Sequence, residues 1–174
     1  MKKKIKKLII ILSVLCSTAA FAEQNIAYVD MSYVLNNSKA GKEAQDFLKK
    51  KISKDQKNFS KTEELLKKEE KNLLTKKSIL SKEEYKANTD SLRKKVVEYQ
   101  SERRKALDSI GILRSNARKR LLENLSPILD KYKNDNQITL VIDKKIVISG
   151  SAETDITEII IEELNKKLPS LSLK

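Results

Sequence analysis

Histidine and tryptophan are absent from the 174 residues, and cysteine occurs once, at Cys16. The chain therefore has no imidazole for acid–base work or metal ligation and cannot form an internal disulfide. Three isolated glycines rule out a glycine-rich loop that cradles phosphates. Aromatic residues make up only 5%, too few for the stacking platforms of a nucleic-acid binder. Asp30 and Asp143 each end an apolar stretch and are the nearest approach to a paired-carboxylate site. Strand-end aspartates more often make turns or caps, and no base, nucleophile or metal cluster accompanies them. Neither an enzyme nor a cofactor or metal is expected.

What is present begins with a leader. Five lysines in Met1–Lys7, an apolar run over Leu8–Leu15 and "AFA" at Ala20–Ala22 read as a secretory signal peptide, 1–22, cleaved after Ala22. Leu15 stands before Cys16 where a lipoprotein needs a small residue, and the apolar run is too short for a bilayer anchor. Cleavage removes the cysteine and sends the chain away from nucleic acid. The rest is basic, and unevenly so: 39–126 carries 25 basic against 14 acidic residues.

"IAYVD", Ile26–Asp30, is apolar and β-branched without helical period and reads as a strand. A short helical turn over Met31–Leu35 and the break "NNS" follow, with Ser38 placed to cap a helix from Lys39 to Leu80. In that helix Ile52, Phe59, Leu66, Leu73 and Leu80 recur every seven residues, while Asp55, Thr62, Glu69 and Lys76 fill the second heptad position, so the seam is half apolar. "SKEE", Ser81–Glu84, is a capping box that starts a return helix carrying Tyr85, Leu92, Val96, Tyr99, Ala106, Ile110, Leu113, Ala117 and Leu121. Reversal near Leu80–Lys82 sets Leu66 opposite Val96, Ile52 opposite Ile110 and Phe59 opposite Arg103, the last as a cation–π contact. Ser126-Pro127 is expected to interrupt the return helix, with Pro127 opening a new segment. "ITLVID" (Ile138–Asp143) and "IVIS" (Ile146–Ser149) read as a hairpin whose continuously apolar strands need cover on both faces. "DITE", Asp155–Glu158, caps a final helix that ends before Pro169.

The fold class is thus α+β: a small β-rich body, discontinuous over 23–38 and 127–174, and a long antiparallel helical hairpin over 39–126 with its tip near 80–82. So small a body, without disulfides, calls for oligomerisation through the sheet, using Ile26, Tyr28, Val29, Ile138, Leu140, Val141, Ile142, Ile146, Val147 and Ile148.

"IAYVDMSYVLNNSKAGKEAQDFLKK" (Ile26–Lys50), the charged hairpin, "ITLVID" and "DITEIIIEELNKKL" together resemble the Skp (OmpH-like) family of periplasmic chaperones across the chain beyond the leader. The resemblance implies a homotrimer with a β-barrel-like hub and helical tentacles around a cavity. It also implies a periplasmic location and the holding of unfolded outer-membrane β-barrel proteins without ATP. The short turn at Asp143–Lys145 departs from relatives with a longer, glycine-containing one.

Holding requires weak contacts at many points. Leu65, Leu74, Ile79, Val97, Leu107, Ile112 and Leu122 are the candidates to line such a cavity; the alternative is that they widen the seam or stand singly on the surface. Lys76, Lys77 and Lys82 at the tip are candidates for anionic lipid or lipopolysaccharide, or else form a solvated face. Gly111, inside the return helix, is either a flexing point of the arm or a site of close packing opposite Lys51. The competing function is a structural envelope coiled coil that bridges or spaces membrane surfaces through its basic arms. A pure spacer is expected to carry a full heptad seam, which the first arm lacks.

Overall fold

A computed structural model describes residues 25–173 of the chain. The leader, with its cleavage position, lies outside the described residues. The elements run β1 (Ile26–Val29), α1 (Met31–Asn37), α2 (Lys39–Thr75), α3 (Lys82–Asp135), β2 (Leu140–Asp143) and α4 (Thr157–Lys167), with single 3-10 turns at Lys144–Ile146 and Ala152–Thr154. The long α2–α3 hairpin is the crossover between two strands that pair in parallel, with Ile26 opposite Leu140 and Val29 opposite Asp143. Parallel strands cannot be joined by a tight turn, so this topology explains why the hairpin is inserted within the body.

Local chemistry sets the start of the first three helices. The Asp30 carboxylate accepts the Tyr33 N–H at 2.8 Å and caps α1. Buried Ser38 closes α1 and opens α2, its hydroxyl accepting from the Gly41 N–H. Both arms of the Ser81–Glu84 capping box form at the start of α3. The bonds from the Ser81 side chain and backbone hold the Glu84 carboxyl below its ordinary value.

Four sequence expectations are corrected. First, α2 ends at Thr75 rather than Leu80, and a turn over 76–80 follows in which the Ile79 and Leu80 N–H groups donate to the Lys76 carbonyl. The Thr75 hydroxyl back-bonds to the Asn72 carbonyl, an alternative that β-hydroxyl residues offer the backbone in competition with the helix ladder. Second, Pro127 does not interrupt the return helix; it sits inside an unbroken α3. Buried Leu125 and Ile128 on either side are anchored in the core, and each such side chain contributes about 1.5–3 kcal/mol, enough to carry the helix through a proline costing about 3 kcal/mol. Because Pro127 is itself exposed, Pro127→Ala is expected to stabilise the chain by about 1–3 kcal/mol in urea unfolding, with no loss of burial.

Third, the expected hairpin of Ile138–Asp143 with Ile146–Ser149 is absent. Instead β1 takes one edge of β2, and the Asp143 carboxylate accepts the Lys145 N–H at 3.0 Å to start a 3-10 turn. A tight hairpin turn needs positive φ, and no residue of Asp143–Lys145 adopts it. Fourth, Asp155 is not the N-cap of α4. It bridges to Tyr28 in parallel, the Ile156 N–H goes to the Tyr28 carbonyl, and the helix begins one residue later with Ile156 at the cap position. The Asp155 carboxylate still accepts the Thr157 N–H at 3.0 Å.

One core holds these parts together. Val29, Val34, Leu125, Ile160, Leu164 and Leu171 are almost completely buried in it, and Ala40, Ala44, Ala117 and Leu121 from the hairpin roots join them. Ala40 and Ala44 in the first turns of α2 are buried in this core, and Asn165 of α4 accepts the Lys39 N–H at the start of α2 at 2.7 Å.

Candidate functional site: the helical arm

The arm changes character at Leu48 and Ile110. These are the outermost buried residues of the hairpin, and no residue from Lys49 to Ser109 is buried. The half-apolar seam is the cause. Phe59, Leu66, Leu73, Leu92, Val96 and Tyr99 are only half-buried between the helices, and polar residues fill the alternate places. Asp55 stands 3.4 Å from Lys51, one turn away on the same helix, with its Oδ2 accepting no hydrogen bond. The Thr62 hydroxyl back-bonds to the Asn58 carbonyl. Glu69 takes Lys95 from the facing helix at 2.6 Å. Of these contacts only Glu69–Lys95 joins the two helices, and such an exposed pair contributes about 0–1 kcal/mol, so the helices lack a continuous zip.

Phe59 does not meet Arg103 as a cation–π pair. Its ring meets Tyr99 edge-on, with centroids 6.0 Å apart and planes at 74°. The Tyr99 hydroxyl donates to Glu63 at 3.4 Å. The Lys67 hydrogen bond and charge hold the Glu63 carboxyl below its ordinary value, against a small desolvation effect, and Tyr99 adds to the shift. Arg103 is exposed and borders a cavity of about 400 Å³ that also touches Ile52, Asp55, Phe59, Ala106 and Ile110. A second opening, about 790 Å³, lies farther out beside Leu66, Leu92, Val96 and Val97. These grooves show incomplete packing along the seam. Ile52 and Ile110 border one groove, and Leu66 and Val96 border the other.

Of the seven apolar residues expected to line a cavity, six stand in solvent: Leu65, Leu74, Ile79, Val97, Leu107 and Ile112 are 59–81% exposed. Leu122 is different, being half-buried and packed on the core of the body. The six do not form one patch. Leu107 and Val97 border the two grooves, whereas Ile112 is two residues from buried Ile110 and therefore on nearly the opposite side of α3. At the tip Lys76, Lys77 and Lys82 are all exposed beside Ile79, and the Lys77 Nζ lies 5.9 Å over the Tyr85 ring.

Gly111 is exposed, and a Cβ built there meets nothing within 4 Å. Close packing opposite Lys51 is thereby excluded as its reason. Gly111→Ala is expected to stabilise the chain by up to about 1 kcal/mol in thermal unfolding.

In the body, the ten residues expected to serve oligomerisation divide. Tyr28 and Val29 are buried within the chain itself, and Ile138, Val141, Ile142 and Val147 are half-buried. Ile26, Leu140, Ile146 and Ile148 are exposed, Ile148 completely. The loop that carries the last two is held by a cluster missed in the sequence. The Tyr28 hydroxyl donates to the Ser151 carbonyl at 3.0 Å, and Lys144 pairs with Asp155 at 2.7 Å while lying 5.7 Å over the Tyr28 ring. Burial pushes the Asp155 carboxyl up, but the bonds from Lys144 and Thr157 outweigh it and hold the group below its ordinary value. A lysine following a strand-end aspartate was the available signal. Asp30 and Asp143, the imagined carboxylate pair, are both occupied as caps. Among the described residues no helix is long and apolar enough to cross a membrane.

A small α/β body with a coreless, basic helical hairpin inserted between its parallel strands defines a class of tentacled proteins. The model of the family described as outer membrane protein (OmpH-like) matches residues 25–164, and the chain belongs to that family. Its fold is similar to that of a Caulobacter crescentus CB15 protein whose crystal structure is provisionally assigned as an outer membrane chaperone (OmpH-like). The TM-score is 0.80 at 17% identity, covering 86% of this chain and 89% of that one. No curated protein matches the sequence.

Proposed function

We propose that the protein is an ATP-independent periplasmic holdase that keeps unfolded outer-membrane proteins soluble between its basic arms, with no catalytic residue. The observation that carries this reading is the absence of any buried residue from Lys49 to Ser109, combined with six dispersed, exposed apolar side chains on the same arms. A helix pair without a core can move apart around guests of different size, and scattered contacts hold a chain of alternating apolar residues without trapping it. Membership of the OmpH-like family supports the same reading. The spacer function is disfavoured by the seam, where Asp55, Thr62 and Glu69 sit in place of apolar residues.

The working unit is a homotrimer closed through the body. Ile26, Leu140, Ile146 and Ile148 are the apolar surface that such an assembly covers, since a sheet of two strands is too small to stand alone. The arms then surround a space that receives the client. Diluting a β-barrel protein from urea, with and without the chain lacking its leader, tests the function by light scattering. Suppression at one trimer per client supports it, and unchanged scattering removes it.

The tip also contacts anionic headgroups, with Ile79 as an apolar point among Lys76, Lys77 and Lys82. Replacing the three lysines by glutamine is expected to weaken binding to anionic vesicles by about 3 kcal/mol, or about a hundredfold, at low salt. Vesicle co-sedimentation checks this, and unchanged binding removes the tip as the contact.

A further inference from the structure

The segment following α4, Pro169 to Leu173, lies against the root of the hairpin and is held in an unusual way. Leu171 is completely buried and belongs to the core cluster, with Leu168 and Leu173 packed at its border. Two charged side chains from different helices read its main chain. The Leu171 N–H donates to the Glu43 carboxylate of α2 at 3.1 Å, and the Arg120 guanidinium of α3 donates to the Leu171 carbonyl at 2.6 Å. An anion at the N–H and a cation at the carbonyl match the dipole of a peptide unit, and charge-assisted bonds are the strong ones. Both partners are side chains, so the slot reads one residue's backbone and one apolar side chain, whatever the chain they come from.

The resident segment is an imperfect occupant. Among the described residues, no backbone–backbone hydrogen bond ties Pro169–Leu173 to the body. Ser172 adopts φ 48°, in the left-handed region that few residues with a side chain occupy. The segment also lies outside the residues matched by the OmpH-like family model, which ends at 164.

We propose that the slot between Glu43 and Arg120 is a peptide-binding site, filled reversibly by the chain's own Leu171 and entered by a leucine-bearing segment of an unfolded polypeptide when the resident leaves. That the incoming segment belongs to a held client rests on the holdase reading; the slot itself does not. The resident leucine then acts as an internal competitor, so that only a segment present at high local concentration displaces it.

The test uses the full chain and a fluorophore-labelled hexapeptide, Pro-Ser-Leu-Ser-Leu-Lys, followed by anisotropy. Leu171→Asp, whose carboxylate is rejected from the apolar slot, is expected to bind the peptide saturably. The unaltered chain should bind it about tenfold or more weakly, because a tethered competitor acts at millimolar effective concentration. Adding Glu43→Gln or Arg120→Gln to Leu171→Asp should weaken binding about tenfold. If Leu171→Asp fails to fold, hydrogen exchange on the unaltered chain serves instead: excess peptide should speed exchange of the Leu171 amide while leaving Ile160 unchanged. Peptide binding without suppression of client aggregation upholds the slot and removes the holdase. Suppression with no peptide binding to the vacated slot, or no change at the Leu171 amide, overturns the slot alone.

Discussion

Gly41→Ala is expected to destabilise the chain by about 3 kcal/mol or more, a large fraction of the stability of a domain this size. A Cβ at this position would lie 1.9 Å from the Leu35 carbonyl oxygen and 2.9 Å from the Ser38 hydroxyl. The nearer atom belongs to the backbone of α1 and cannot rotate away. Relief therefore requires α1 and α2 to separate, which breaks the Ser38 cap on Gly41 and pulls Leu35, Ala40 and Ala44 out of the core. The glycine has no positive φ, so its role is closeness of approach. Urea unfolding should show a midpoint shifted far to lower denaturant. A shift worth under about 1 kcal/mol would mean that the α1–α2 corner relaxes cheaply and is not a rigid foundation for the arm.

Replacing Leu65, Leu74, Ile79, Val97, Leu107 and Ile112 together by glutamine is expected to weaken client binding by about a hundredfold while leaving the fold intact. All six are exposed, and glutamine is a good helix former, so stability should change little. Each partly covered apolar contact contributes about 0.5 kcal/mol, a fraction of full burial, giving about 3 kcal/mol for six and a twofold to threefold effect for any one. Client titration of the sixfold variant and of each single variant measures both. One substitution that removes most of the affinity by itself would replace a distributed surface with a single hot spot.

The parts legible in sequence were those set by neighbours in the chain. The Ser81–Glu84 box, the Asp30 and Ser38 positions, the β1 strand and the half-apolar seam need only local chemistry and a heptad count, and the structure places them as expected. Legibility failed where distant segments compete for the same groups. The partner of β2 was decided by β1, more than a hundred residues earlier in the chain, which no reading of "ITLVIDKKIVIS" reveals. The start of α4 was shifted by the Tyr28 carbonyl taking the Ile156 N–H. Pro127 was read from its own backbone preference, but buried Leu125 and Ile128 override it. At the arm, the sequence showed which residues are apolar yet did not separate Leu122, docked on the body, from the six that stand in solvent. The Glu43–Leu171–Arg120 clamp brings together three separate stretches and carries no local signal at all.

Hydrogen exchange along the hairpin, with and without a bound unfolded β-barrel protein, probes the coreless arm most directly. Amides from Lys49 to Ser109 should open with free energies well below those of Leu125 and Ile160 in the body, and become slower when a guest is held. Arm amides as protected as the body's in the free protein, and unaltered by the guest, would contradict the proposal that these helices yield to enclose another chain.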